Sequence, residues 1–136
     1  MFRKKVNCET ANLHIIREFI LSALDSYSVP DSKRDMIVVA VDEVCANRMI
    51  HSNSCDPTKE IEVTVTTTID TKGVVIEIKD NGEAFDIKTY QSPTINDVIK
   101  EHRKGGMGLR LVKNIMDAVQ VVQVGKHQVC RLVKQI

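Results

Sequence analysis

The pattern of apolar and polar residues predicts two helices in the first part of the chain. Between residues 10 and 27 the apolar positions include Leu13, Ile16, Phe19, Ile20 and Ala23. Their three- and four-residue spacing is typical of one buried helical stripe. A second helix is predicted over residues 31–52, with Asp31 or Ser32 as its cap. Its middle, residues 36–41, is apolar on every side, so we expect all of it to be buried.

The remainder of the chain carries strand patterns and one further helix. Residues 60–69 alternate apolar and polar side chains, which predicts a half-buried strand. The turn sequence Asp70-Thr71-Lys72-Gly73 leads into a returning strand at 74–79, so the two strands form an antiparallel hairpin. The other predicted elements are a weak strand at 2–7, a helix at 107–117 and strands at 118–124 and 128–136.

This order of elements predicts the fold class. The succession β-α-α-β-β-loop-α-β-β favours an α+β two-layer sandwich, with an antiparallel or mixed sheet and helices on one face. A long polar stretch, residues 81–106, separates the hairpin from the third helix and contains Gly82, Pro93 and Gly105. Long irregular segments inside compact domains are often lids or binding loops.

Composition excludes several classes of protein. The 136 residues suit one domain, 1–136. The net charge is +1, and the chain has three Phe, two Tyr and no Trp, which argues against a direct nucleic-acid partner. No apolar run reaches the roughly 18 residues of a membrane helix. The four cysteines lack C-x-x-C spacing, so we interpret them as reduced thiols of a cytoplasmic protein rather than zinc ligands.

Three short motifs carry candidate chemistry, and the first lies on the second helix. Glu43, Asn47 and His51 are spaced four residues apart, which places them on one helical face. A buried carboxylate and amide are costly unless something pairs with them. The pattern fits a binding site, and it equally fits a few satisfied buried polar groups or a partly solvated helix edge.

The other two motifs flank the long polar stretch. Asp80-Asn81-Gly82 directly follows a strand, where a carboxylate beside a glycine could bind the amino group of a flat ring; a simple turn is the alternative. Gly105-Gly106-Met107-Gly108-Leu109 opens the third helix after Arg103 and Lys104. Free N–H groups at such a helix start favour anions, and a flexible loop end is the alternative. No Gly-Lys-Ser/Thr follows, so this is not a Walker loop.

In this order, the motifs resemble the Bergerat-type ATP-binding fold of gyrase-like ATPases, histidine kinases and anti-sigma-factor serine kinases. Glu43-x-x-x-Asn47-x-x-x-His51 resembles the N box, Asp80-Asn81-Gly82 the first glycine box, and residues 105–109 the second. The resemblance covers nearly the whole chain. Residues 41–47, 106–117 and Phe85-Asp86 are most similar to the stand-alone anti-sigma-factor serine kinases of bacterial partner switching.

The resemblance implies a role for each matched residue. Asp80 would bind the adenine amino group, and Asn47 would supply an oxygen ligand to Mg²⁺. Glu43 would take the proton from a substrate serine as its hydroxyl attacks the γ-phosphate of ATP. The segment from 87 to 104 would form the ATP lid. The other implied nucleotide contacts are Gly82, Ala84, Arg103, Lys104, Gly105, Gly106, Met107, Gly108, Leu109 and Gln128.

Within that set the contacts differ in kind. Backbone N–H groups of residues 106–109 would bind the phosphates, and Arg103 or Lys104 would neutralise phosphate charge. Two positions depart from the family pattern. Ala84 replaces a glycine of many relatives, and Gln128 stands where relatives carry a threonine that helps to hold adenine.

As a whole, the resemblance implies a serine-protein kinase and anti-sigma factor. It would phosphorylate an anti-anti-sigma (STAS-type) protein and sequester a sigma factor, and a homodimer stays open. Because Gln128 is altered, a catalytically weak or silent ATP-binding module that switches protein partners is an alternative. The ATPase half of a histidine kinase is a third hypothesis, although only about 30 residues precede the second helix. A structural protein without nucleotide is the fourth.

Overall fold

The computed structural model describes residues 1–52, 56–68, 72–80, 106–125 and 127–136, and for 51–52 and 106–109 it describes the backbone alone. In chain order, the elements are β1 (Phe2–Asn7), a 3₁₀ turn (Thr10–Asn12), α1 (Leu13–Ser26), α2 (Asp31–Asn47), a π-helical turn (Arg48–Ser52), β2 (Glu60–Thr68), β3 (Gly73–Asp80), α3 (Gly106–Ile115), β4 (Ala118–Val124) and β5 (His127–Gln135). The predicted succession of strands and helices is confirmed for these residues.

The strands form one five-stranded sheet in the order β1-β2-β3-β5-β4, and every neighbouring pair is antiparallel. The predicted hairpin is the β2–β3 pair, and β3 is the central strand. Its last residue, Asp80, lies opposite Gln128 at the start of β5. Residues directly opposite in an antiparallel pair project to the same face, so Asp80 and Gln128 are neighbours on one face of the sheet.

A single apolar core joins that face to the helices. Along the strands the core positions alternate and include Ile61, Val63, Val65, Val74, Ile76, Ile78, Cys130 and Leu132. The helices contribute, among others, Ile16, Ile20, Leu24, Ile37, Val41, Val44, Val112 and Ile115. Burying an aliphatic side chain of this size stabilises the fold by roughly 1.5–3 kcal/mol. The α+β two-layer sandwich is therefore confirmed, with the helices covering one face of the sheet.

Three cysteines belong to this core. Cys8, Cys45 and Cys130 are all buried. Burial raises the pKa of the Cys130 thiol to about 12 and the pKa of the Cys45 thiol well above its usual value. Thiols that resist ionisation pack as small apolar groups and react slowly.

The second helix differs from its sequence prediction in two respects. Met36 and Val39 are 47% and 44% exposed, so the expectation that all of 36–41 is buried was wrong. A helix in a two-layer fold has only one face against the sheet, and the opposite face meets solvent. The predicted caps were also wrong: Pro30 occupies the N-cap position and no side chain caps the helix.

Side chains of β5 and of the turn after α3 fix the position of this third helix. Lys134 donates from Nζ to the carbonyl oxygen of Ile115 at 2.7 Å, which satisfies an acceptor at the end of α3. The carboxylate of Asp117 accepts from the backbone N–H of Gln135 at 2.6 Å. These contacts tie α3 to the sheet and so set where its glycine-rich start lies.

No helix within the described ranges is long and apolar enough to cross a membrane.

Two methionines provide a test of this core. We expect Met49→Ala to lower the free energy of unfolding by about 2–5 kcal/mol, because the Met49 side chain is 0% exposed and its loss leaves a cavity. Met36→Ala, at a 47% exposed position, should change it by less than about 0.5 kcal/mol. Urea unfolding of both variants measures the difference, and equal losses would contradict the assigned burial.

Candidate functional site

The end of the second helix meets the polar end of the central strand. Arg48, the first residue after α2, forms a bidentate ion pair with Asp80, the last residue of β3. The Nε atom of Arg48 lies 2.6 Å from Oδ2 of Asp80, and its Nη2 atom lies 2.7 Å from Oδ1. The side chains are 7% and 0% exposed, respectively. This contact holds the end of α2, whose last residue is Asn47, against the end of β3.

The hydrogen bonds of such a buried ion pair are strong, but burying its two charges costs free energy. Two parallel charge-assisted hydrogen bonds fix the guanidinium and the carboxylate in one plane. Removing both charges from water costs several kcal/mol each, so neither partner is tolerated without the other. The pair therefore locks the end of α2 onto β3.

Arg48 is the site residue that sequence reasoning missed. It falls on the buried stripe of α2, one turn after Val44 and Cys45, which are both buried. An arginine on such a stripe requires a buried anion, and Asp80 ends a strand whose other inward positions are apolar. Each of the two residues therefore indicated a buried partner of opposite charge. Local spacing does not connect them, because they are 32 positions apart.

Glu43 and Asn47 occupy the half-buried side of α2. Asn47 donates from its Nδ2 to the backbone carbonyl of Glu43 at 3.0 Å, a bond that orients the amide group. Because this bond engages the amide nitrogen, the amide oxygen can act as a ligand for a hard cation. Burial raises the pKa of the Glu43 carboxyl, and the nearby charge of Asp42 raises it further. A carboxylate with a raised pKa is a better proton acceptor.

His51 does not continue the α-helical spacing of this face. The backbone from Arg48 to Ser52 is a π-helical turn, which is wider than an α-helical turn and changes the angular position of the residues within it. The α-helix predicted over residues 31–52 therefore ends at Asn47, and His51 lies in the π-helical turn that follows it. Turns of this type are frequent at functional sites.

Gln128 lies beside Asp80, as the register of β3 and β5 requires. The residue is 6% exposed. Its Nε2 donates to the side-chain oxygen of Gln123 on β4. The position predicted to contact adenine thus carries a buried amide next to the buried carboxylate, and both belong to the polar end of the core.

The glycine-rich motif begins the third helix. Gly106, Met107, Gly108 and Leu109 form the first turn of α3, whose N–H groups have no partner inside the helix. This helix packs against α2, so its start lies on the same side of the sheet as Glu43 and Asn47. Five predicted site residues and the predicted lid lie outside the described residues: Gly82, Ala84, Arg103, Lys104, Gly105 and the segment 87–104.

A groove of about 260 Å³ lies at the same end of the sheet. It is lined by Lys5, Glu60, Glu62, Lys79, Asp80 and His127. Its two lysines face two glutamates and Asp80, so the lining has no excess of positive charge that would select a polyphosphate. Lys79 projects to the face opposite Asp80, because successive strand residues alternate. The motif residues of α2 and α3 belong to the inner side instead.

A magnesium ion at this site would need few protein ligands. Within the described ranges, no three His, Cys, Asp or Glu side chains are grouped so that they could hold a metal ion. Mg²⁺ takes one or two protein ligands and completes its shell with water and phosphate oxygens. The amide oxygen of Asn47 fits that requirement.

Comparisons with known proteins agree with the motifs. A family model described as the histidine kinase-like ATPase domain matches residues 6–134. Serine-protein kinase RsbW of Bacillus licheniformis is 32% identical over 89 residues, which are 61% of this chain and 53% of that protein. This match thus spans about half the length of that relative. The resemblance indicated by the motifs is confirmed.

Two solved structures share the fold. One is the SiaB–SiaC complex from Pseudomonas aeruginosa, with a TM-score of 0.61, 11% identity, and coverage of 100% of this chain and 90% of that chain. The other is the Acinetobacter baumannii histidine kinase AdeS, with a TM-score of 0.51, 10% identity, and coverage of 99% and 68%. At this level of identity they demonstrate a common fold and nothing further.

The ion pair yields a stability prediction. Arg48→Ala should lower the free energy of unfolding by about 3–5 kcal/mol, because it leaves the buried Asp80 carboxylate without this partner. The matched control is Arg17→Ala, since Arg17 pairs with Asp42 at 2.9 Å on the surface, and its loss should cost less than about 1 kcal/mol. Urea unfolding compares them; a cost for Arg48→Ala no larger than the control would show that the pair is not buried.

The raised pKa of Glu43 yields a second prediction. A carboxyl whose pKa is raised on folding destabilises the fold when ionised, and this cost disappears below the unfolded pKa of about 4.3. We expect Glu43→Gln to stabilise the protein at pH 7 by less than about 1 kcal/mol, since water screens a half-exposed group. The gain should shrink as the pH falls towards 4. Urea unfolding across this pH range measures it, with the exposed Glu18→Gln as control; a gain independent of pH would contradict the cause.

Proposed function

Because this chain belongs to the histidine kinase-like ATPase domain family, we propose that it binds ATP with Mg²⁺ and acts as a serine-protein kinase and anti-sigma factor. Its substrate would be an anti-anti-sigma (STAS-type) protein, and its regulatory target a sigma factor. One observation carries the proposal: the Arg48–Asp80 contact holds the end of α2, the helix that carries Glu43 and Asn47, against the end of β3.

The comparisons support the class of activity. The curated relative is named a serine-protein kinase, and the aligned part is about half of that protein. Members of the family bind ATP with Mg²⁺ in general. The specific activity, the STAS-type substrate and the sigma factor are proposals for this chain.

The nucleotide would lie between α2, β3 and the start of α3. Asp80 would accept a hydrogen bond from the adenine amino group, with Gln128 beside it. The first-turn N–H groups of α3, from Gly106 to Leu109, would bind the phosphates, because a helix start favours negative charge. Asn47 would hold Mg²⁺, which neutralises phosphate charge when bound. Gly82, Ala84, Gly105, Arg103 and Lys104 would complete the contacts, with 87–104 as the lid.

Glu43 would act on the protein substrate. Its carboxylate would accept the proton of a serine hydroxyl as the hydroxyl oxygen attacks the γ-phosphate. The raised pKa of Glu43 suits this role, because burial and the Asp42 charge make the carboxylate a better proton acceptor. The cost of ionising Glu43 is then the physical source of its reactivity.

The expected setting follows from the proposal. We place the protein in the cytoplasm as one domain, residues 1–136, acting on proteins and not directly on nucleic acid. A homodimer is compatible with it. Gene regulation would be indirect, through release or capture of a sigma factor.

A kinase assay tests the proposal. Wild-type protein should transfer labelled phosphate from Mg-ATP to a serine of a STAS-type protein from the same organism. Glu43→Gln should slow this transfer by about 100-fold or more and leave ATP binding nearly unchanged, because a positioned base contributes about 10²–10⁴-fold. Glu18→Gln, on the exposed side of α1, is the control and should transfer at the wild-type rate.

Two outcomes would contradict this scheme at different points. Unchanged transfer by Glu43→Gln would disprove the base assignment. Failure of the wild-type protein to bind Mg-ATP in calorimetry would disprove the nucleotide function itself.

A silent ATP-binding module that switches protein partners is the second candidate. Two observations favour it: Gln128 replaces the expected threonine, and Arg48 holds the carboxylate assigned to adenine. Binding of ATP without transfer to any STAS-type protein of the organism would support this module over the kinase.

A further inference from the structure

We propose that Arg48 is a positioning residue that controls access of adenine to Asp80, so that base binding requires the buried ion pair to open. This inference rests on the proposed nucleotide function. It adds a residue that the motifs do not contain, and a measurable consequence: the affinity for ATP is set partly by the free energy of the Arg48–Asp80 pair.

The geometry of the pair carries the inference. Both carboxylate oxygens of Asp80 accept from the Arg48 guanidinium, at 2.6 and 2.7 Å. The Asp80 side chain is 0% exposed and the Arg48 side chain is 7% exposed. A ligand cannot approach the carboxylate edge on which the guanidinium lies unless Arg48 moves.

The chemistry of the competing donors decides the direction of the effect. Adenine offers a neutral amino group, whereas Arg48 offers a cationic fork with two parallel N–H donors. Both donors meet the ionised carboxylate, but only the guanidinium adds a positive charge of its own and a second parallel hydrogen bond. Exchanging the guanidinium for the amino group is therefore unfavourable at Asp80 alone, and the rest of the nucleotide must compensate.

The location of Arg48 gives the pair a place to open. It is the first residue of the π-helical turn, at the junction with α2. The π-helical turn is a local irregularity in an otherwise α-helical segment and allows a different backbone path from that of α2. Since Arg48 directly follows Asn47, opening the pair changes the residue next to the proposed Mg²⁺ ligand.

A population argument sets the expected magnitude. If only a fraction of molecules has Asp80 open, the apparent dissociation constant rises by the inverse of that fraction. An open population of about 10% or less would thus weaken ATP binding about tenfold or more. Replacing Arg48 by a small residue removes the competitor and should restore that factor.

Calorimetry with Mg-ATP tests this directly. We expect Arg48→Ala to bind Mg-ATP at least about tenfold more tightly than wild type, and Arg48→Lys to fall between them, because lysine keeps the charge but lacks the fork. Arg3→Ala is the control, since Arg3 is 57% exposed and lies 3.8 Å from Glu62. It should bind as wild type does.

A second measurement uses the unmodified protein and does not depend on the folding of a variant. In an NMR spectrum of ¹⁵N-labelled wild type, the Arg48 Nε–H resonance should shift on addition of Mg-ATP. Magnesium tripolyphosphate, which has the phosphates and no base, should leave that resonance in place. The contrast separates loss of the Asp80 contact from a general structural response to phosphate.

The outcomes distinguish the inference from the proposed function. If wild type binds Mg-ATP, equal or weaker binding by a folded Arg48→Ala would overturn the control of adenine access and leave the nucleotide function standing. So would an Arg48 resonance that ignores saturating ATP or responds equally to tripolyphosphate. If wild type does not bind Mg-ATP, the nucleotide function fails, and this inference fails with it.

Discussion

The ion pair between Arg48 and Asp80 is the constraint on which the site depends. Two charges almost wholly removed from water must stay together, and this requirement fastens the end of α2 to the end of the central strand. Every polar group of the site is placed relative to that junction. Glu43 and Asn47 precede it on α2 by five residues and one residue, and Gln128 lies beside it on β5. A bidentate pair is directional, so it adds a fixed orientation at the end of α2 to the position that apolar packing provides.

The apolar core tolerates this polar end because the two are continuous. Along β3 the inward positions are Val74, Ile76 and Ile78 before they end at Asp80. Leu132, Cys130 and Gln128 follow the same order on β5. Burial of the aliphatic part stabilises the sandwich and offsets the cost of desolvating Asp80 and Gln128. A site at the end of a core is therefore rigid on one side and polar on the other, which suits a ligand with a flat base and a charged tail.

Local patterns predicted the elements well, because period 2 and period 3.6 are local properties of the chain. The strands and helices of the described residues follow from such patterns. The exposure of Met36 and Val39 did not, since an apolar run does not state how many of its faces another layer will cover. Arg48 was missed for a related reason: its meaning depends on a carboxylate 32 residues away. The π-helical turn that displaces His51 from the α-helical face has no signal in apolar spacing either.

The departures from the family pattern are unevenly distributed. At the phosphate end, Glu43, Asn47 and the glycines that open α3 match the motifs of the family. At the base end, Gln128 stands in place of a threonine, and the carboxylate of Asp80 is held by Arg48. Groups at the phosphate end determine the chemistry, because phosphoryl transfer relies on positioning and charge neutralisation around the γ-phosphate. Under the proposed function, groups at the base end would determine which nucleotide binds and how tightly. The changes would then affect nucleotide affinity before catalysis, so saturating ATP should reveal the transferase activity that the phosphate end supports.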